Sequence, residues 1–125
     1  MKVVVTASGA DLDAPVDPRF GRCSFFVIVD TDTMAFEAVE NQAAMAAGGA
    51  GVQAAQLVAN KGAQAVITGN IGPNAMAGLQ AAGVKVYVGA EGTVRKSVEL
   101  FKEGRLQEAT SATASPHSGM GRGRW

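Results

Sequence analysis

The sequence predicts a single α/β domain built as a three-layer sandwich, with helices on both faces of a five-stranded mixed sheet. Short β-branched runs alternate with segments of helical periodicity, and glycine-rich turns separate the two. The chain has 125 residues, of which 47% are hydrophobic. That size provides one hydrophobic core and leaves no room for a second domain.

Three strands are predicted before the first helix. β-branched and aromatic runs indicate strands at 2–6, 24–30 and 34–40. The turn at 30–33 makes the second and third strands an antiparallel hairpin.

Helices and strands alternate in the rest of the domain. Apolar periodicity predicts helices at 52–61, 75–82 and 94–101, and each is followed by a glycine, namely Gly62, Gly83 and Gly104. Strands are predicted between the helices, at 64–68 and 84–88. The composition changes after residue 106, so we expect a folded domain over 1–106 and a flexible Gly/Arg-rich tail over 107–125.

The order of the predicted elements determines the strand order and the strand directions of the sheet. Right-handed crossovers make strands three, four and five parallel, and the hairpin makes strand two antiparallel to strand three. If strand two also pairs with strand one, strand one is parallel to the others, and the predicted strand order is 3-2-1-4-5. The carboxyl ends of the parallel strands then share one edge, where open α/β sheets bind ligands. The glycine-rich loops at 41–51, 69–74 and 89–92 all belong to this edge.

Charge and cysteine content exclude several classes of protein. Eleven acidic side chains balance eleven basic ones, so a nucleic-acid binder is not expected. The single cysteine, Cys23, cannot form an internal disulfide, which favours a reducing cytoplasmic compartment. The apolar run at the N-terminus is too short for a signal peptide or a membrane span.

The glycine-rich loops lead into helix N-termini, where unpaired N–H groups and the helix dipole favour an anion. The alternative, that these glycines only make tight turns, remains equally open at this point. The candidate ligand-binding residues at this edge of the sheet are Ser8, Arg19, Phe20, Gly21, Arg22, Met45, Gly48, Gly49, Gly51, Gly69, Asn70, Ile71, Gly72 and Asn74.

Two residues are candidate metal ligands. Cys23 is either a soft ligand or a small buried residue, and His117 is either a ligand that folds over a bound metal or an incidental residue of the tail. No P-loop ending, no acidic pair on the central strands and no nucleophile turn is present. The sequence therefore predicts a binding protein and not an enzyme.

Four motifs together resemble a known family. They are DPRFGRCSFF at 17–26, GGAG at 48–51, TGNIGPNA at 68–75 and AGVKVY at 82–87. The chain is similar over about residues 1–106 to the dinitrogenase iron–molybdenum cofactor biosynthesis family, which includes NifX and the C-terminal domain of NifB. It also resembles the small orange proteins of anaerobes.

The resemblance implies a ribonuclease H-like fold without nuclease activity. It implies a carrier of metal–sulfur clusters containing molybdenum with copper or iron, which bring their own sulfur. Partners would be cluster-assembly or P-loop ATPase proteins, and a metal-independent module that binds such partners is the alternative. Relatives often have a histidine before the GAG turn, and its absence here leaves Met45 or the backbone in that place.

Overall fold

The computed structural model describes residues 1–45 and 49–113, and of Met45 only the backbone. The strands are β1 (Lys2–Ala7), β2 (Phe25–Asp30), β3 (Phe36–Glu40), β4 (Ala65–Ile67), β5 (Lys85–Val88) and β6 (Gln107–Ala109). The helices are α1 (Ala50–Asn60), α2 (Pro73–Ala81) and α3 (Val94–Lys102), and a short 3-10 helix spans Gln42–Met45.

The sheet has the order β3-β2-β1-β4-β5-β6. β1 pairs antiparallel with β2 and parallel with β4, and β5 is parallel to β4. The predicted order 3-2-1-4-5 and the single antiparallel strand among these five are therefore confirmed.

The sixth strand corrects the prediction that the tail is flexible from residue 107. β6 pairs antiparallel with β5, so that Ala109 lies opposite Val86. Its sequence, Gln-Glu-Ala, has neither β-branched residues nor an apolar alternation, because it is a short edge strand with an exposed face. Residues 114–125, including His117, lie outside the described residues.

Alternation along the strands produces two cores, one on each face of the sheet. Val4, Phe26 and Val66 point to the face covered by α1 and α2. Val3, Val27 and Ile67 point to the opposite face, which α3 and the loop at 8–16 cover. The three predicted layers are thus present, with two helices on one side and one on the other.

Several element boundaries differ from the prediction by one or two residues, and two of these differences have a clear local reason. β3 begins at Phe36 and not at 34, because Met34 has a left-handed backbone conformation (φ 63°) that interrupts a strand. α2 begins at Pro73, whose fixed φ suits the first helical position. No helix in the described part of the chain has the length and apolar content to cross a lipid bilayer.

A candidate anion site at the carboxyl edge of the sheet

α1 and α2 pack side by side on one face and begin at the same edge of the sheet. Between their first turns and the loop before β2 lies a cleft of about 290 Å³. The described lining residues are Gly21, Arg22, Gly49, Ala50, Gly51, Val52, Gly72, Pro73, Asn74 and Ala75.

The start of α1 is open to this cleft. Gly49, the residue before the helix, has φ 72°, a left-handed conformation that glycine adopts without strain. A left-handed residue followed by a right-handed one turns successive N–H groups into a concavity that suits an anion. The N–H groups of Ala50, Gly51 and Val52 have no hydrogen-bond partner among the residues that the structure describes.

The start of α2 also has N–H groups without a partner at this cleft. Gly72 precedes it and has no side chain that could cap the helix, and Pro73 has no N–H group. The N–H groups of Asn74 and Ala75 have no partner within the described ranges 1–45 and 49–113. Ala75 is 4% exposed and Ala50 is 6% exposed, and buried donors without a partner are costly.

Glycines allow the two helix starts and the preceding loop to pack backbone against backbone. A Cβ on Gly21 would lie 3.2 Å from the N and Cα atoms of Gly51. A Cβ on Gly51 would lie 3.2 Å from the Cβ of Ala75. At these two positions a Cβ would make tighter contacts than most side chains make, so glycine allows the close approach.

Arg22 is the charged side chain among the described lining residues. Its Nη1 donates a hydrogen bond to the Ala44 carbonyl oxygen at 2.6 Å, which connects the loop before β2 to the 3-10 helix. The guanidinium therefore brings positive charge to the cleft and also contacts the 3-10 helix.

Arg19 does not line the cleft. Its Nε and Nη2 donate to the Asp17 carboxylate at 3.2 and 3.1 Å, and its backbone N–H donates to the same carboxylate at 2.9 Å. Burial raises the pKa of Asp17, but the hydrogen bonds and the charge of Arg19 outweigh it and hold that pKa below its usual value. Arg19 and Asp17 thus form an ion pair in which the carboxylate is buried and the guanidinium is largely exposed.

The turn before α2 is held by the loop that contains this pair. The Asn70 N–H donates to the Pro18 carbonyl oxygen at 2.7 Å. A Cβ on Gly69 would lie 2.7 Å from the Pro18 Cα, so only glycine fits there. Ile71 is 1% exposed and belongs to the hydrophobic core, as does Phe20 at 2%.

Cys23 lies beneath the cleft and is fully buried. Its Sγ donates to the Phe20 carbonyl oxygen at 3.4 Å, and Asn41 Nδ2 donates to the Cys23 carbonyl oxygen at 2.9 Å. Burial, followed by the charge of Asp17, raises the pKa of the Cys23 thiol to about 12. A neutral buried thiol is a poor metal ligand, so this environment favours the structural alternative.

The structure brings together part of the predicted site. Six of the candidates line the cleft: Gly21, Arg22, Gly49, Gly51, Gly72 and Asn74. Those that do not are Ser8, Arg19, Phe20, Gly69, Asn70 and Ile71, and Ser8 instead donates from Oγ to the Pro15 carbonyl oxygen at 3.3 Å. Gly48, His117 and the Met45 side chain lie outside the described residues.

The sequence did not predict four of the residues that line the cleft, namely Ala50, Val52, Pro73 and Ala75. Ala50, Val52 and Ala75 could have been predicted from the helix starts, because the N–H groups in the first turn of a helix are unpaired whatever the side chain. Among the described residues there is no group of three or more histidine, cysteine or acidic side chains that could hold a metal ion. The candidate donors at this cleft are therefore chiefly main-chain N–H groups.

Proteins of known structure share this fold. The apo form of the orange protein from Desulfovibrio gigas is 46% identical, with a TM-score of 0.87 over 90% of this chain and 95% of that one. A putative NifB protein from Thermotoga is 42% identical, with a TM-score of 0.78 over 90% and 96% of the two chains.

Sequence comparison agrees with these structures. An uncharacterized protein of Methanocaldococcus jannaschii is 35% identical over 96 residues, which are 74% of this chain and 81% of that protein. The model of the family described as dinitrogenase iron–molybdenum cofactor matches residues 1–104. The chain belongs to the dinitrogenase iron–molybdenum cofactor family.

Proposed function

We propose that this protein is a non-catalytic carrier of an anionic metal–sulfur cluster. One observation carries the proposal: five N–H groups without a partner among the described residues, at two helix starts, belong to residues that line one cleft. Such groups bind anions through hydrogen bonds and through the positive ends of the helix dipoles.

The donor set fits a cluster that brings its own sulfur. Cys23 is neutral and buried, and the described residues hold no set of three side-chain ligands for a bare metal ion. Sulfide ligands on the surface of a cluster accept hydrogen bonds from main-chain donors. Because such bonds are weak individually, a cluster bound in this way can also be released.

Family membership and the similarity to an orange protein support the identity of the cargo. On that basis the cluster contains molybdenum together with copper or iron. The described lining of the cleft consists of glycine and alanine backbone, with Val52, Pro73, Asn74 and Arg22. This lining supplies no general acid, general base or nucleophile, which favours binding over turnover.

A carrier passes its cargo to a partner, and we infer that the partner is a cluster-assembly protein or a P-loop ATPase. Val52 is 40% exposed at the rim of the cleft and offers an apolar contact for such a partner. The balanced charge of the chain argues against nucleic acid as a partner. The single buried thiol is compatible with the reducing cytoplasm.

Anaerobic reconstitution tests this function. The full chain is incubated with tetrathiomolybdate and Cu(I), or with an iron–molybdenum cluster, and passed through a desalting column. We expect molybdenum to co-elute with the protein at a fixed ratio, together with a visible absorption band that free tetrathiomolybdate lacks.

The protein unfolded in urea is the control, since it has the same composition without the cleft. Failure of the folded chain to retain metal or chromophore would refute the carrier function. Capture of a host protein to the same extent with and without metal would support the metal-independent interaction module instead.

A further inference from the structure

The segment after β6 runs along α2 towards the cleft. Gln80, near the end of α2, donates from Nε2 to the Thr110 carbonyl oxygen at 3.0 Å. Ala112 packs on the core beneath α1 and α2. The next residue, Thr113, contacts Ile71, which lies two positions before the first residue of α2. Residues 110–113 therefore run from the end of α2 to its start.

Thr113 and Ile71 exchange two hydrogen bonds. The Thr113 N–H donates to the Ile71 carbonyl oxygen at 2.9 Å, and the Ile71 N–H donates to Thr113 Oγ1 at 2.9 Å. Ile71 is 1% exposed, and its N–H has no other acceptor among the residues that the structure describes. Because a buried N–H without an acceptor is costly, the Thr113 hydroxyl stabilises this conformation of the turn before α2.

Two separate parts of the chain hold the turn at 69–72. The Asn70 N–H donates to the Pro18 carbonyl oxygen at 2.7 Å, from the loop before β2. Thr113 holds the next residue of the turn from the segment after β6. The position of the turn thus depends on contacts that are distant in the sequence.

Little rotational freedom separates this turn from the N–H donors of the cleft. Gly72 is extended (φ −83°, ψ 171°), as residues before proline usually are. The ring of Pro73 fixes its φ. A movement of Ile71 therefore changes the direction of the N–H groups of Asn74 and Ala75, which have no partner among the described residues.

We propose that Thr113 is a positioning residue of the anion cleft. By binding Ile71 it holds the N–H groups of Asn74 and Ala75 in the orientation that binds the cluster, without contacting the cluster itself. This role rests on the carrier function proposed above. It makes the affinity of the cleft depend on whether residues 110–113 are docked along α2.

The test uses three full-length variants with matched chemistry. Thr113→Val keeps the shape of the side chain and removes the oxygen that accepts from Ile71, whereas Thr113→Ser keeps that oxygen. Thr93→Val is the control, because Thr93 Oγ1 accepts a backbone N–H in the same way, from Lys96 at 3.1 Å at the start of α3. Each protein is loaded anaerobically with tetrathiomolybdate and Cu(I), and the retained molybdenum is measured against increasing concentrations of a competing chelator.

We expect the apparent affinity of Thr113→Val for the cluster to fall about fivefold, because loss of one hydrogen bond lowers the population of the binding-competent turn. Thr113→Ser and Thr93→Val should stay within about twofold of the parent. Failure of Thr113→Ser to retain the cluster better than Thr113→Val would refute the role of the hydroxyl.

Amide signals of the unloaded proteins provide a second readout, which a general loss of stability would not reproduce. In Thr113→Val the signals of Asn74 and Ala75 should shift, and in Thr93→Val they should stay at the parent's positions. Because coupling between two sites is reciprocal, loading the parent should also slow hydrogen exchange at the Thr113 N–H.

The outcomes distinguish the two proposals. If the parent retains no cluster, the carrier function fails and the positioning role fails with it. If the parent retains the cluster and Thr113→Val binds it equally well, the positioning role alone is refuted. Weaker binding by Thr113→Val with unchanged signals of Asn74 and Ala75 would also refute it.

Discussion

The helices of the two faces begin at the same edge of the sheet but in opposite ways. At α3, the N–H groups of Val94 and Arg95 donate to the carbonyl oxygens of Ala14 and Leu12, at 3.0 and 2.8 Å. The Lys96 N–H donates to Thr93 Oγ1 at 3.1 Å. All three N–H groups that open α3 are therefore paired, whereas those that open α1 and α2 have no partner among the described residues.

This difference shows that open helix starts are not a requirement of the fold. The loop at 8–16 crosses the start of α3 and satisfies its donors, and Thr93 adds a side-chain cap. On the other face, glycine occupies the cap position of both helices. The loop at 8–16 thus pairs the N–H groups at the start of α3, whereas those at the starts of α1 and α2 have no partner among the described residues.

The largest expected effect tests the close packing of Gly69 against Pro18, in the turn before α2. Gly69→Ala places a Cβ 2.7 Å from the Cα and Cβ of Pro18, so the backbone must move. We expect the free energy of unfolding to fall by about 2–3 kcal/mol, measured by urea denaturation.

Gly83→Ala is the matched control for Gly69→Ala. Gly83 has φ 77° and open space around its Cβ position, so the cost is backbone strain alone, about 1–2 kcal/mol. A loss for Gly69→Ala no greater than that for Gly83→Ala would contradict the close approach.

The second prediction concerns a variant in which a side chain caps the unpaired N–H groups at the start of α2. Gly72 has an extended backbone (φ −83°, ψ 171°) that any residue adopts, so the carboxylate of Gly72→Asp can cap α2. We expect the apo protein to keep or gain stability and cluster retention to fall about tenfold, because the cap takes the donors and repels an anion.

Gly83→Asp supplies the matched control, since it adds the same charge at the other end of α2. Its retention of the cluster should equal that of the parent. Equal retention by both aspartate variants would mean that the start of α2 does not hold the cargo.

The third prediction concerns Cys23, beneath the open side. Its pKa is raised to about 12 from 9.0, so the folded state favours the neutral thiol. The resulting contribution to the free energy of unfolding is fully present below pH 9 and is lost as the pH rises towards 12. Between pH 8 and pH 10 the parent should lose about 1 kcal/mol more stability than Cys23→Ala.

Urea denaturation at several pH values measures this difference. Cys23→Ala should also retain the cluster with the parent's dissociation rate, because a buried neutral thiol is a poor metal ligand. Loss of cluster binding in a folded Cys23→Ala protein would restore this residue as a metal ligand.

The smallest expected effect comes from removing the side-chain cap at the start of α3. Thr93→Gly removes the side-chain cap of α3 but leaves the carbonyl oxygens of the loop at 8–16 in place. Stability should fall by a few tenths of a kcal/mol, about the cost of exchanging threonine for glycine at an N-cap. Cluster retention should not change, and a change would show that both faces take part in binding.

Strand order was predictable because hydrophobic runs and crossover handedness leave few alternatives. β6 was not, because its three residues pair through the backbone and show no pattern. The open helix starts followed from the glycines at 49 and 72. Arg19 was assigned to the site because the sequence does not reveal that Asp17, two residues earlier, is buried and holds it.

The glycine-rich motifs contain both residues that fix the loops to the core and residues that line the cleft. Phe20 and Ile71 lie within the glycine-rich motifs but fix those loops to the core. Thr113, far along the chain, had no local signal, because its role depends on β6 bringing the chain back to Ile71. Residues that shape a loop and residues that face its ligand become distinguishable only when burial is known.

Amide chemical shifts test the central contrast most directly. Labelled full-length protein is titrated with tetrathiomolybdate and Cu(I) under anaerobic conditions. We expect the amide signals of α1 and α2 at Ala50, Gly51 and Ala75 to shift or broaden, whereas those of Val94 and Lys96 at the start of α3 stay in place. Perturbation centred on the start of α3, or none at the starts of α1 and α2 when the cluster is bound, would contradict it.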